Sequence, residues 1–256
     1  LISVALVSHN NRKDLERLLP SLLSALKDFK NEILVVDNCS TDGTLSFIKS
    51  VCPDAVVTLN RKRRGYGANQ NQNIEKARGQ FIVLMNPDMV VPEKIFHKLT
   101  AFMADHPEAG MATCMICNED GTCQFLNKRE PAVFDLLVRR FLPVRLRGPF
   151  RKRLDAYEMR DAGYDRVVDV PFVSGSFMFA RTSLIREAGG FDERFFMYFE
   201  DVDLCRRVRQ KSRAMYCPDV KIIHRWERAS HKSIKWTIVF GMSAFKYYYK
   251  WGVRLF

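Results

Sequence analysis

The 256-residue chain (29.7 kDa, 47% hydrophobic, 27% charged, 13 Gly, 10 Pro) has a globular composition that excludes a disordered or fibrous protein and allows one large α/β domain. Its formal charge of +12 is concentrated at one end, where thirteen Lys/Arg face two acids between Arg206 and Phe256, a net +11. Such an end suits nucleic acid, an anionic membrane leaflet or a phosphorylated substrate, and charge alone does not choose among them.

The chain opens on a strand-like "LISVALVSHN", followed by a helix predicted from Arg12 to Leu26, a strand in "NEILVVDNCSTDGT" and a helix from Thr44 to Val51. No targeting segment is in view, and what precedes Leu1 is left open. After the strand-like "DAVVTLN" comes a glycine-bearing loop, "NRKRRGYGANQNQN", then a helix around Asn69 to Ala77. The next run, "FIVLMNPDMVVP", reads as a buried strand that stops on Asn86, Pro87 and Asp88 and then resumes. Pro87 suits a strand exit because it needs no ladder partner.

This alternation argues for βαβ units and a mostly parallel sheet, its strands covered on both faces. Ligands of such sheets bind beyond the carboxyl ends of the strands. Three strands end there on polar clusters: Ser8, His9 and Asn10; Asp37 and Asn38; Asn86 and Asp88.

In the second half, "CMICNEDGTC" places Cys114, Cys117 and Cys123 close together. A metal knuckle there lacks a fourth ligand, so small buried side chains in a strand and hairpin are the simpler expectation. The odd set of seven cysteines, without regular spacing, suits a reducing compartment. Lys128 to Arg166 is rich in Arg and Pro without a clear period and is predicted to be a lid-like loop or a solvated basic surface. "VVDVPFVSGSFMFARTSLIREAGGF" then reads as a strand, a short helix and a Gly-Gly turn.

"FFMYFEDVDLCRRVRQ" sets Glu200, Asp201 and Asp203 at the start of a helix with a basic end, an arrangement the helix dipole explains by itself. "AMYCPDVKIIHRWE" is predicted to be a strand ending on His224. The last segment, Ser233 to Arg254, is predicted helical, with Trp236, Phe240, Ala244, Tyr248 and Trp251 on one stripe and Lys246, Lys250 and Arg254 on another. It is either an interfacial amphipathic anchor or a helix packed on its own domain or a second subunit. No run of about 18 apolar residues exists to span a bilayer.

The rim would thus gather Asp37, Asp42, Asp88, Asp201 and His224 beside the glycine loop. Asp88 with His224 would suit a hard divalent cation whose open positions take substrate phosphates. Each also has a bland role, as a turn cap or a structural imidazole. Backbone N–H groups near Gly65 and Gly67 suit an anion, although the loop is neither a P-loop nor the dinucleotide fingerprint.

Taken in order, "VALVSHNN", "ILVVDNCSTDGT", "GYGANQNQN", "VLMNPDMVV", "VSGSFMFARTSLIREAGGFDERFFMYFEDVDLCRRVR" and "KIIHRWERAS" make the chain resemble family-2 glycosyltransferases of the GT-A fold, especially their bacterial rhamnosyltransferase-like branch. Only the Arg/Pro-rich middle has no counterpart. The resemblance implies a Rossmann-like, mostly parallel α/β sheet flanked by helices: residues 1–95 as a nucleotide-sugar-binding half, 96–230 as the acceptor-binding half of the same domain, and 231–256 as a C-terminal amphipathic helix.

It also implies roles. Asp37 would accept a hydrogen bond from the donor's pyrimidine, with Ser8 and Asn10 lining the pocket and Asn60, Gly67 and Asn69 in the loop beside the nucleotide. "NPD" stands where many members have Asp-x-Asp, so Asp88 would bind Mg2+ or Mn2+ with His224, and Asn86 would neighbour the ribose. Asp201 would be the catalytic base, with Glu200 beside it in the acceptor site. The implied reaction is inverting transfer from a dTDP- or UDP-sugar, with rhamnose favoured, to a glycan or polyprenyl-linked acceptor. It would take place in the cytoplasm, with inner-leaflet contact if the C-terminal helix is the interfacial anchor of the two alternatives above.

Asn86 in place of a carboxylate predicts weaker metal dependence. The competing readings are a nucleotidyltransferase, for which Asp201 would be dispensable, and a non-catalytic basic membrane-associated module. Nucleic acid is not an expected partner, because the aromatic residues follow a helical stripe and not an OB- or RRM-type platform.

Overall fold

Period-two alternation decides how the central strands are used. β1 (Ile2–Ser8), β2 (Asn31–Asp37) and β4 (Phe81–Met85) are apolar at most positions, and successive side chains leave opposite faces, so each strand feeds two cores. Val4, Leu6, Val35, Val83 and Met85 enter one core, and Ala5, Leu34, Ile82 and Leu84 the other. These features come from a computed structural model that describes residues 1–225 and 234–256.

The first core lies beneath α1 (Arg12–Leu26), α2 (Thr44–Val51) and α4 (Ile95–Asp105). Leu15, Leu18, Leu19 and Leu22 line one face of α1, and burying each fully is worth roughly 1.5–3 kcal/mol. The second core is covered by α3 (Tyr66–Lys76), α7 (Thr182–Glu187), α8 (Glu200–Arg209) and α9 (Ile234–Trp251).

β3 (Val56–Leu59), β2, β1 and β4 lie side by side and parallel, with Ser8 beside Asp37 and Asp37 beside Leu59. Their carboxyl ends form the one rim that the sequence predicts. Past β4 the sheet becomes mixed. β8 (Phe177–Arg181) runs antiparallel to β4 and to β6 (Ala109–Cys117), whereas β6 is parallel to β9 (Arg213–His224). β9 also carries the short antiparallel strands β5 (Met89–Val90) and β7 (Val168–Asp169). This reversal brings the amino end of β8 and the carboxyl end of β9 to the same rim.

Two expectations change, and one of two alternatives is selected. α3 begins at Tyr66 and not at Asn69, because an extended Gly65 caps it and "GYG" opens its first turn. The Arg/Pro-rich middle is not a loop: it contains α5 (Val133–Phe141) and α6 (Arg151–Tyr157), joined by 3₁₀ turns. These short helices are held by tertiary contacts, Arg153 pairing with the buried Asp135 at 2.5 Å while Leu154 and Tyr157 are buried. The stripe of α9 faces inward, with Phe240, Ala244, Tyr248 and Trp251 packed on the second core.

Cys114 and Cys117 are buried on β6, and Cys123 bridges back to Cys117 across a turn, the hairpin expected there. All seven cysteines are free thiols. Ser233 and the "WERAS" part of the last motif lie outside the described residues.

Candidate active site

Asp37 and Ser8 end neighbouring strands in register and are buried. Asp37 Oδ2 accepts the Ser40 N–H at 3.2 Å, but no protein group bonds Asp37 Oδ1 or the Ser8 hydroxyl. An unbonded buried polar atom costs about 1–3 kcal/mol, so two side by side mark a place built for an outside partner. Val7, His9 and Asn38, which flank the pair, line a cleft of about 230 Å³ together with Arg64, Tyr66 and Asp88. Asn69 and Asn86 reach the same cleft.

The amides around the cleft are occupied with one another. Asn60 Nδ2 donates to Asn69 Oδ1 at 2.6 Å and to Asn38 Oδ1 at 3.0 Å. Asn38 also accepts the Arg64 N–H at 2.9 Å and donates to the Arg64 carbonyl at 3.0 Å, as a neighbouring strand would. The network therefore pins the basic "RKRR" loop, placing Arg63 and Arg64 on the cleft wall. Asn10, at φ 57°, has its side-chain oxygen taken by the Thr41 N–H at 2.7 Å and ties the exits of β1 and β2 together.

Gly67 lies in the first turn of α3 and not in the loop. A Cβ there would meet Phe191 Cβ at 2.7 Å, and one on Gly65 would meet the Phe196 carbonyl oxygen at 2.6 Å. Both glycines thus serve the close approach of α3 to residues 191–197.

Asp88 leaves β4 just before β5, whose pairing sets Met89 opposite His224. Asp88 Oδ1, buried and without a hydrogen bond, lies 3.3 Å from His224 Nε2. Gln124 fixes the ring: its Nε2 donates to the His224 carbonyl at 2.7 Å, which leaves its Oε1 to accept from His224 Nδ1 at 2.9 Å. With Nδ1 bonded to Gln124, the ring turns Nε2 towards the Asp88 oxygen, a pairing that suits a shared cation. The pair therefore fits a hard divalent ion as two of its ligands. No cluster of three or more His, Cys, Asp or Glu ligands occurs among the described residues, so phosphate oxygens and water would complete the shell.

Glu200 and Asp201 open α8. Asp201 Oδ2 accepts the Gly175 N–H and Oδ1 the Val202 N–H, each at 2.9 Å. Burial pushes the Asp201 carboxyl up, against these two N–H groups and the Lys128 charge. Glu200 is pushed well above the carboxylate range by burial and by the Asp201 charge, and no protein group bonds its Oε2. Of the pair, Glu200 is raised further and Asp201, held by two N–H groups and the Lys128 charge, is the better placed to ionise. Burial also brings Lys128 down to about 7.

The turn into α8 is strained, since Tyr198 and Phe199 hold φ values of 69° and 66°, unfavourable for bulky side chains. α9 braces it. Phe199 packs on Phe240 and Tyr247 with ring centroids 5.3 and 5.4 Å apart, and the Ser243 hydroxyl donates to the Met197 carbonyl at 2.8 Å. Asp203 anchors the same helix through Lys250 at 2.6 Å and Trp251 Nε1 at 2.8 Å.

Tyr66 joins the two sides. Its hydroxyl donates to the Gly175 carbonyl at 2.8 Å, one residue from the hydrogen bonds of β8's entry and beside the N–H that holds Asp201. Burial raises its phenol, and the acidic groups at Glu200, Asp201 and Asp88 raise it further. Asp42 stands apart, accepting the Arg12 and Thr44 N–H groups at 3.0 and 3.1 Å to begin α1 and α2. Sequence reasoning missed Gln124, Tyr66, Gly175 and Lys128; only Tyr66 and Gly175 sat inside recognisable motifs.

The family model for glycosyl transferase family 2 matches residues 3–187. N-acetylglucosaminyl-diphospho-decaprenol L-rhamnosyltransferase of Mycobacterium tuberculosis is 29% identical over 240 residues, covering 88% of this chain and 76% of the relative. Rhamnosyltransferase WbbL of Escherichia coli is 27% identical over 235 residues, covering 88% and 83%. Among solved structures, Staphylococcus aureus TarS 1-349 in complex with UDP-GlcNAc superposes with a TM-score of 0.65 at 19% identity, over 96% of this chain and 66% of that one. The mannosyltransferase PcManGT from Pyrobaculum calidifontis, in complex with GDP-Man and Mn2+, gives 0.64 at 21%, over 97% and 63%. At these identities the two structures establish the GT-A fold, and the chain spans a little under two thirds of each.

Proposed function

Because the chain belongs to glycosyl transferase family 2, we propose that this glycosyltransferase moves a sugar, with inversion, from a dTDP- or UDP-sugar to a glycan or polyprenyl-linked acceptor in surface polysaccharide synthesis. The Tyr66 hydroxyl, which lines the cleft with Asp88 and bonds the carbonyl of Gly175, whose own N–H holds Asp201, carries this reading. The names of the two relatives support rhamnose as the sugar, and the decaprenol in one of them supports a lipid-linked acceptor.

Asp37 Oδ1 and the Ser8 hydroxyl suit the polar edge of a pyrimidine, which offers an N–H donor and carbonyl acceptors. Arg63 and Arg64, on the cleft wall, would face the diphosphate. Mg2+ or Mn2+ held by Asp88 and His224 would offset the charge gathered by the departing diphosphate. Asn86 supplies no carboxylate, which makes the ion's hold depend more on the phosphates. Asp201, its oxygens oriented by two backbone N–H groups, would take the proton of the acceptor hydroxyl as that oxygen attacks the anomeric carbon opposite the leaving group. Glu200, kept neutral beside it, would donate a hydrogen bond to the acceptor.

The test is a titration of dTDP- and UDP-sugars with and without Mn2+ or Mg2+, following binding and donor turnover. Saturable binding of a pyrimidine nucleotide-sugar, tightened by the ion, is expected. If no nucleoside diphosphate binds, the reading is wrong.

A further inference from the structure

α9 has two apolar faces, and the fold uses one. Ser243 and Tyr247 are buried inward, with Phe240, Ala244, Tyr248 and Trp251 against the second core. On the other side Ile234, Ile238, Met242, Phe245 and Tyr249 recur at helical spacing, and Phe245 and Tyr249 are 71% and 83% exposed. The stripe that the sequence offers to a membrane is thus the packed one, and a second stripe faces out.

α5 lies against α9. The Val133 N–H donates to the Arg254 carbonyl at 2.9 Å, and Arg140 donates to the Thr237 hydroxyl at 2.5 Å. α5 and the 3₁₀ turn after it leave Leu137, Phe141, Val144 and Leu146 exposed as well. Exposed apolar rows on adjoining helices mark an interaction surface and not ordinary scatter.

Charge selects the partner. Over residues 133–160 and 234–256, Lys and Arg outnumber Asp and Glu twelve to three. Arg145, Arg151, Lys152, Lys235 and Arg254 are exposed. A second copy meeting this surface face to face would press like charges together, whereas an anionic leaflet complements both the apolar rows and the basic residues. No described helix is long and apolar enough to cross a membrane, so the contact is interfacial.

We propose that α5 and the outer face of α9 form a docking surface for an anionic phospholipid leaflet, with Phe245 and Tyr249 entering the headgroup region and the basic side chains meeting lipid phosphates. The inner face of α9 braces the Phe199 turn, so the docked surface backs directly onto the base-bearing helix. This inference rests on the surface and is independent of the donor and acceptor.

The test is flotation of the purified protein with phosphatidylcholine vesicles, and with vesicles of equal parts phosphatidylcholine and phosphatidylglycerol. The variants are Phe245→Glu/Tyr249→Glu and, separately, Arg145→Glu/Lys235→Glu. Circular dichroism reports folding, and sedimentation reports mass. The wild type should float with the anionic vesicles about tenfold better than with the neutral ones and be released by salt, and either folded variant should lose about tenfold in partition. The charge-reversal variant leaves every apolar contact intact, so it decides the matter if the aromatic variant fails to fold. Equal or no partition to the two vesicle types overturns the proposal, as does undiminished partition of a folded variant. A wild-type dimer that the aromatic variant dissociates overturns it too, by assigning the face to a second copy.

Discussion

The two sides of the cleft are held in place by different means. On the first side, Ser8, Asp37 and Asp88 stand at or just past strand ends, and the register of neighbouring strands positions them. On the second side, Asp201 follows two bulky residues in the left-handed region, and a helix some forty residues further on keeps them there. A strand exit is fixed by backbone hydrogen bonds alone and tolerates changes around it. A strained turn persists only while its packing over-determines it. Chemistry on the second side should therefore respond separately from binding on the first.

The sharpest way to break this division is Asp201→Asn. Loss of a general base should lower transfer by about a hundred- to ten-thousandfold while nucleotide affinity is unchanged, as turnover and binding measured together would show. Glu200→Gln imitates the protonated form that the site already holds and should cost far less, so equal losses from the two would refute the assignment of charge to Asp201. Next in size, Asp37→Ala should weaken nucleotide binding by about tenfold to a hundredfold, with turnover at saturating donor largely kept. Calorimetric titration against the wild type would check it.

The smallest effect concerns pH. The raised Asp201 carboxyl should make the acid limb of the turnover profile fall at a higher pH than an ordinary carboxylate gives, because the base is lost once it is protonated. The Lys128 charge opposes that rise, so Lys128→Met should move the limb to still higher pH. A limb that stays put would show that Lys128 does not act on the base.

The same division explains what could be read from the sequence. The bounds of α1 and α2 follow from apolar spacing, and the rim follows from polar residues at the ends of apolar runs. The start of α3 was not legible, because nothing local announces that Gly65 must be extended to let Phe196 approach. α5 and α6 were not legible either, since pairs distant in sequence such as Arg153 with Asp135 hold them. Gln124 belongs to no pattern and acquires its role only when β9 delivers His224 beside it. α9 offers two apolar stripes, and contacts with Met197, Phe199 and Asp203 select which one turns inward.

Gly65 and Gly67 give the enzyme a dimensional tolerance. The spacing between the cleft and the segment leading to Asp201 is gauged where two glycines touch Phe196 and Phe191, at points that carry no proposed reacting atom. A single methyl group at Gly67 would sit 2.7 Å from the Phe191 Cβ, and restoring normal contact requires about 1 Å of separation. A misplacement of that size can cost about a hundredfold in rate. The spacing between the cleft and the turn before Asp201 is therefore held at residues that have no side chain to compress.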